Sequence, residues 1–302
     1  MLVRTSLVAL VAAGCAAPDG IAVGVVVDTT QTGEDVHVSW SRGPDLPVPT
    51  PDRTSATTSL GEGLIVVPTT EVRLQPWSGS PVSVAMDLVD PYFQLYPGGA
   101  DEAAVLAESV GGETRLWEIR GRSAQRLPFD LDGEPFVGGA VVNGELWFRR
   151  DGRLARVDLT TGTFLHTGLP ADDVALFVAG GFGRVAVGGD RWLMVVDVAT
   201  GETWSAEVAE VGSGFMAFED PDTLLMGVSG DEGKGLRVLR LEDGFITPVA
   251  DVPRPFVWGF HGTLARDQAA ALDWSPGEVD VDGAPDMTAW DTAVVRISVV
   301  AP

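Results

Sequence analysis

The sequence predicts an all-β fold, a β-propeller built from four-stranded antiparallel blades. The chain repeats a pattern of about 40 residues, and each repeat holds short alternating strands separated by polar turns. No amphipathic helical segment interrupts the repeats. A repeat of this length with several strands in it is typical of propeller blades.

A hairpin is the first mark of the repeat. Its clearest copies, LARVDLTTGTFL at 154–165 and LMVVDVATGETW at 193–204, each contain an alternating strand, a tight turn and the start of another strand. Looser copies occur at 72–84, 116–127 and 236–249. The turn glycines are spaced 39 to 43 residues apart: Gly79, Gly121, Gly162, Gly201 and Gly244.

Phenylalanines form a second mark with the same phase. They open apolar stretches spaced 38 to 43 residues apart, at Phe93, Phe136, Phe177, Phe215 and Phe256. Glycine soon follows four of them, as expected where backbones crowd together at a propeller axis. In one repeat the strands, from innermost to outermost, are predicted at Phe136 to Val142, Glu145 to Arg149, Leu154 to Asp158 and Thr163 to Gly168.

The length of the repeat region, residues 21–302, predicts seven blades, with DVHVSWSRG at 35–43 as part of the first. Six blades is the alternative, in which the Pro- and Thr-rich segment 43–59 is a linker. AVVRISVV at 293–300 is predicted to be a third strand with no fourth behind it. We therefore expect Ile21 to Val27 to supply that outer strand and close the ring.

The N-terminus has the anatomy of a bacterial export signal. Arg4 precedes an apolar stretch at 7–13 that is too short to span a bilayer, and small residues precede Cys15. Ala12 to Cys15 resembles the lipobox, which implies that the Cys15 thiol receives the lipid. An ordinary secretory signal cut after Ala17 is the alternative.

Cys15 is the single cysteine of the chain, so an exported domain would have no disulfide framework. This favours lipidation at Cys15 and a location in the cell envelope, lipid-anchored and facing the periplasm or exterior. The predicted organisation is a signal peptide at 1–14, a tether at 15–20 and a propeller at 21–302. A net charge of −23 argues against both nucleic acid and anionic lipid surfaces as partners of the domain. The expected membrane contact is therefore the lipid anchor.

The turn residues Asp197, Thr200 and Gly201, followed by Trp204, resemble the repeat of quinoprotein-like and WD40-like propellers. Asp158, Thr161 and Gly162 repeat the pattern without the tryptophan. The resemblance implies that the Asp and Thr side chains bond turn amides and that the ring packs between blades. Quinone-binding dehydrogenases of that superfamily use a vicinal cysteine pair, which is lacking here, so no cofactor is expected. A lipobox joined to such repeats also resembles the propeller lipoprotein of the outer-membrane β-barrel assembly machinery.

The chain contains no recognisable catalytic set. Its histidines, His37, His166 and His261, lack zinc-ligand spacing, so no metal site is expected. Asp280, Asp282 and Asp286 form a weak calcium candidate that lacks the order of an EF-hand loop. The related DLDGE at 130–134 is weaker still.

Aromatic and cationic residues give candidate partner contacts. Trp117, Trp147 and Trp204 lie at strand positions and are expected to fill wedges between blades. Candidates for binding occupy turns between second and third strands, the start of innermost strands and the last blade: Tyr92, Arg149, Arg150, Arg191, Trp192, Lys234, Arg254, Trp258, His261, Trp274 and Trp290. We expect them, with the 275–289 loop, to share one face, although charged turns also serve solubility.

The function expected from these features is a binding or scaffold module for a protein or glycan partner. An extracytoplasmic enzyme, such as a hydrolase or lyase acting on sugar polymers, is one alternative. A structural surface protein is the other. The sequence identifies no particular ligand.

Overall fold

A computed structural model describes most of the chain from residue 26 onwards. The described residues are 26–28, 37–46, 56–60, 63–67, 71–76, 80, 82–89, 93–98, 102–133, 135, 138–170, 177–189, 192–207, 211–230, 233–253, 261–265, 268–276 and 290–300. All of their regular structure is β-strand, joined by turns, as the sequence predicts. The signal peptide, the tether and Cys15 lie outside these residues.

The described strands group into antiparallel units of four or five. Two strands near the N-terminus, which belong to the last unit, are β1 (Val26–Asp28) and β2 (His37–Leu46). Unit 1 contains β3 (Ala56–Leu60), β4 (Gly63–Val67), β5 (Val72–Pro76) and β6 (Val82–Val84). Unit 2 contains β7 (Phe93–Tyr96), β8 (Ala104–Val110), β9 (Glu113–Arg120) and β10 (Ser123–Asp132).

The next two units have the same order. Unit 3 contains β11 (Gly139–Val142), β12 (Glu145–Arg150), β13 (Arg153–Asp158) and β14 (Phe164–Pro170). Unit 4 contains β15 (Phe177–Gly181), β16 (Arg184–Gly188), β17 (Trp192–Asp197) and β18 (Thr203–Glu207).

The last two units complete the described strands. Unit 5 contains β19 (Val211–Asp220), β20 (Thr223–Gly230), β21 (Gly233–Glu242) and β22 (Phe245–Pro253). Unit 6 has the order β1-β2-β25-β24-β23, with β23 (His261–Ala265), β24 (Gln268–Pro276) and β25 (Trp290–Val300). Units 4 and 5 form one eight-stranded sheet, because β18 and β22 share a single parallel pair, Ser205 with Phe245.

The first strands of the units lie together at the centre. Each contacts the first strand of the next unit, in the order β3, β7, β11, β15, β19 and β23, and β23 contacts β3 again. Within the described part of the chain, the units are therefore arranged in a closed ring. Their later strands lie progressively further from its axis.

The strand predicted to close the ring was wrongly assigned. The third strand of unit 6, β25, contains the predicted strand at 293–300, but its outer neighbour is β2 and not the segment Ile21 to Val27. β2 pairs along β25 from His37 opposite Val300 to Leu46 opposite Thr292, whereas β1 is a three-residue strand paired outside β2. DVHVSWSRG thus contributes to the last unit and does not form a first unit of its own. β2 is long enough to pair with the backbone groups along β25, whereas β1 has only three residues.

The four strands predicted for the repeat at 136–168 are confirmed, with shifted ends. The innermost strand begins at Gly139 and not at Phe136, which lies outside the described residues. Gly138 has a φ of 77°, a left-handed conformation that an extended strand cannot continue through. The outermost strand extends to Pro170, beyond the predicted end at Gly168.

The core lies between neighbouring units, so a middle strand buries both of its faces. In β8, Ala104 and Leu106 pack towards unit 1, and Val105 and Ala107 pack towards unit 3, where Phe148 is fully buried. This explains why β8 is a continuous apolar run and does not alternate with polar residues. Full burial of a side chain such as Phe148 stabilises the fold by about 1.5–3 kcal/mol.

The turn glycines offer a matched test of contact between units. Gly162 and Gly201 both have φ of 73°, but a Cβ at Gly162 would lie 2.7 Å from Cγ of Phe129 in unit 2, whereas a Cβ at Gly201 would meet nothing within 4 Å. We expect Gly201→Ala to lower the free energy of unfolding by about 1–2 kcal/mol through backbone strain. Gly162→Ala should lower it by about 1–3 kcal/mol more, because Phe129 must move. Urea denaturation measures both, and equal losses would contradict this packing.

Candidate functional site

The alternation of strand directions gives the ring two faces. We call the end where second strands turn into third strands, at 111–112, 151–152, 189–191 and 231–232, the entry face, because innermost strands also begin there. The opposite end, the exit face, carries the turns between first and second strands and those between third and fourth strands.

Several predicted contact residues map to the entry end of their strands. Arg149 and Arg150 lie at the end of β12, and Trp192 lies at the start of β17. Lys234 is near the start of β21, and His261 and Trp290 are the first residues of β23 and β25. Trp274 is near the end of β24 and pairs with Thr292. Others lie outside the described residues: Tyr92, Arg191, Arg254, Trp258, Asp280, Asp282 and Asp286. Their binding role stays a prediction.

The side chains on the entry face are partly engaged in the fold. The Arg150 guanidinium lies over the Phe164 ring, 5.3 Å from its centroid, and 3.9 Å from the Asp151 carboxylate. Trp192 is half-buried and packs against the core between units 3 and 4, with its ring against the backbone of Gly189. Arg150 and Trp192 therefore help to shape this face.

On the exit face, two turns have the geometry implied by the resemblance. An Asp158 carboxylate oxygen accepts hydrogen bonds from the N–H groups of Thr160 and Thr161, at 2.9 and 2.7 Å. Asp197 accepts from Ala199 and Thr200 in the same way, at 3.0 and 2.9 Å. The hydrogen bond from the Thr200 backbone is the main cause that holds the pKa of Asp197 below its ordinary value. The bond from the Thr161 backbone lowers the pKa of Asp158 in the same way.

Arg184 joins units 4 and 5 on the exit face. Its guanidinium lies 4.6 Å from the centroid of the Trp204 ring, and its Nη1 is 3.0 Å from a carboxylate oxygen of Asp222 in unit 5. Nη1 also donates to the carbonyl of Pro221, and Nε lies 3.8 Å from Asp197. Sequence reasoning missed this cluster, because its groups come from two repeats and Arg184 has no counterpart in unit 3, where Glu145 occupies that position.

The predicted packing of tryptophans between units is confirmed. Trp204 is buried in the core shared by units 4 and 5, and Trp147 is buried between units 3 and 4. Trp117 is half-buried against the core of units 1 and 2. Each ring packs between two sheets, as suits a large aromatic side chain.

The described residues show neither a metal site nor a membrane helix. Within the ranges given above, no three His, Cys, Asp or Glu side chains are placed to hold a metal ion. The same residues include no helix of sufficient length and apolarity to cross a bilayer.

Comparisons with known proteins bear on the fold. No protein-family model and no curated protein matches the sequence. One chain of a crystal structure of the mitotic checkpoint complex is similar, with a TM-score of 0.54 and 12% identity over 99% of this chain and 100% of that chain. The WD40 domain of coronin from Toxoplasma gondii aligns with a TM-score of 0.47 and 10% identity over 92% and 89% of the two chains. A luciferin-regenerating enzyme aligns with a TM-score of 0.48 and 13% identity over 85% and 92%.

The closed ring of four-stranded units decides the fold. The chain is a β-propeller. At such low identity the likeness extends to the fold alone, and activity must be argued from the propeller's own residues.

Two grooves flank β14, the outermost strand of unit 3. The groove towards unit 2 has a volume of about 380 Å³ and is lined by Asp132, Arg150, Phe164 and His166, among others. The groove towards unit 4 has a volume of about 360 Å³, and its lining includes Trp147, Leu165, Leu169 and Val198. The first contains three carboxylates beside the Arg150 guanidinium, and the second combines apolar side chains with Arg156 and Asp197. His166 lines both.

The Arg184 cluster generates a stability prediction. Arg184→Met should lower the free energy of unfolding by about 1–3 kcal/mol, because it removes hydrogen bonds to a neighbouring unit from a largely buried guanidinium. Arg240→Met is the control, since among the described residues Arg240 has only a 3.9 Å pair with Glu242, and this substitution should cost about 0–1 kcal/mol. Equal losses in thermal or urea denaturation would show that Arg184 does not join the units.

Proposed function

We propose that the protein is a lipid-anchored, extracytoplasmic binding module in which a six-bladed propeller presents its faces to a protein partner. The closed ring of innermost strands is the observation that carries this proposal. A closed ring whose described units pack face to face is a rigid support, and binding residues typically lie in loops on such supports. A protein partner is favoured because one solved chain with a similar fold comes from a crystal structure of the mitotic checkpoint complex.

Six blades account for the strands that the structure describes. Each of the units 1 to 5 is a four-stranded blade, and the N-terminal β2 completes the sixth as the neighbour of β25. A seventh blade, the count expected from length, would have to separate two innermost strands that are in contact. Pairing of the first and last strands in one blade supports the ring in the way that closure removes open edges.

The N-terminal sequence supports attachment close to a membrane. Val26, the first residue of β1, follows Cys15 by eleven residues, which span at most about 40 Å when fully extended. Diacylglycerol on Cys15 with a further acyl chain would provide the two hydrophobic anchors that stable attachment needs. Beyond the anchor, the charge of −23 would keep the propeller away from anionic headgroups.

The anchor is tested by removing its thiol. We expect Cys15→Ser to move the protein from the membrane fraction to the soluble fraction and to abolish labelling by radioactive palmitate, because only the thiolate accepts the lipid. Thr30→Ser, a change of similar size beyond the tether, should leave both unchanged. A mature N-terminus at Pro18, found by mass spectrometry in the unmodified protein, would instead establish an ordinary secretory signal.

The binding role is tested by recovering partners from membranes. Crosslinked, detergent-solubilised protein should repeatedly retain the same partner, and Lys234→Glu on the entry face should reduce its recovery at least tenfold. Arg122→Glu reverses an exposed charge in an exit-face turn and should have no effect. Equal loss in both variants would exclude the entry face, and the absence of a repeated partner would contradict the binding role.

A further inference from the structure

The outer edge of unit 3 has the features of a peptide-binding edge. β14 is the last strand of its sheet and pairs only with β13 among the described strands. An edge strand presents N–H and C=O groups with which another extended segment can pair. The outward-pointing backbone groups of β14, and the grooves on either side of them, determine which segment can pair there.

Hydrogen bonds at the turn before β14 identify the outward groups. The N–H of Asp158 donates to the carbonyl of Thr163, and the N–H of Gly162 donates to the carbonyl of Asp158. Antiparallel strands alternate hydrogen-bonded and non-hydrogen-bonded pairs, so Leu165 bonds Arg156 across the ladder. The N–H and C=O groups of Phe164 and His166 therefore point away from β13.

The two grooves receive alternate side chains of any strand that pairs there. A residue opposite His166 would direct its side chain towards unit 2, and a residue opposite Leu165 would direct its side chain towards unit 4. Leu165 is 46% exposed despite its apolar side chain, and it lines the groove towards unit 4. Trp147 lines the same groove with an indole N–H that is buried and has no hydrogen-bond partner within the described structure.

Charge distinguishes the groove towards unit 2. Arg126 already pairs with Asp130 there, at 2.8 Å, and Arg150 lies near Asp151. Asp132 is exposed and has no ion-pair partner in the described part of the chain. One carboxylate is thus left over for a cationic side chain from outside.

Outer edges elsewhere in this propeller are extended by further pairing. In unit 6, β1 pairs outside β2, and in the joined sheet the edge of β18 pairs with β22. The outer position of a unit therefore accepts an additional strand without disturbing the ring.

We propose that the edge of β14 binds an extended peptide segment of a partner protein in which basic and large aliphatic side chains alternate. The basic residue lies in the groove that holds Asp132, and the aliphatic residue lies in the groove that holds Leu165. Backbone hydrogen bonds to Phe164 and His166 provide the register, as in recognition by β-strand addition. The inference rests on the proposed binding role, but it uses neither the lipid anchor nor the entry face.

A second copy of this chain is a poorer occupant than a basic peptide. Each copy carries a charge of −23, and antiparallel pairing of two β14 edges would bring two Asp132-containing grooves together. A partner segment with alternating cations avoids both the repulsion between two acidic chains and the repulsion between two Asp132-containing grooves. Self-association is therefore an outcome that would overturn the proposal.

The test uses the purified full chain and a fluorescent eight-residue peptide that alternates leucine and arginine. Fluorescence anisotropy should give a dissociation constant on the order of 100 μM at low salt, weakening with ionic strength. His166→Pro removes an outward N–H without touching the ladder to β13 and should weaken binding at least tenfold. His166→Ala keeps that N–H and should change it less than threefold.

A charge-reversal variant tests the proposal independently if the His166→Pro variant does not fold. Asp132→Arg, an exposed substitution, should weaken the leucine–arginine peptide at least fivefold and strengthen a leucine–glutamate peptide by a similar factor. The proposal is overturned by equal binding of both peptides to the wild type, by no binding, or by concentration-dependent dimerisation through this edge in light scattering. These results leave the membrane pull-down unaffected, so failure of this inference is distinguishable from failure of the binding role.

Discussion

Burial of both faces of the middle strands, wherever the structure describes their side chains, is the constraint on which the rest of the structure depends. A sheet that packs on one side only could stand at the end of a stack, but these sheets bury apolar residues on both sides, as β8 and β16 do. Such a series has no stable end, so it must close on itself. The pairing of β2 with β25 provides that closure, and its cost is a long-range contact between the two ends of the chain.

Hydrogen bonds between polar groups then fix the relative positions of units, because hydrophobic packing is not directional. Hydrophobic packing between units is tolerant of small sliding movements, whereas a hydrogen bond from Arg184 to the turn of unit 5 is not. The carboxylates of Asp158 and Asp197 stabilise the turns of their own units by accepting backbone N–H groups. The described turns of the exit face are therefore held both within a unit and, through Arg184, across neighbouring units.

Local pattern was sufficient to predict most of the strands. The hairpin around Gly162 was located to within two residues, because its alternating side chains and turn residues all belong to one segment. The packing of Trp204 and the hydrogen bonds of Asp197 were also predictable from the resemblance of the turn. Arg184 was not, since its partners Asp222 and Pro221 lie in another repeat. The exposed edge of β14 could not be predicted from the sequence either, because it depends on which strand of a unit is outermost and on the shape of the neighbouring units.

The sequence by itself determined that this is an all-β protein of repeated hairpins, because strand periodicity and turn chemistry are properties of a few adjacent residues. It also determined the net charge of −23 and the position of the single cysteine, Cys15, in a segment that predicts export. Only the tertiary structure decided which N-terminal strand completes the ring, because β1 and β2 differ in how far they can pair along β25. It also decided which polar side chains meet across units, since those contacts follow from the packing of sheets that are far apart in the chain.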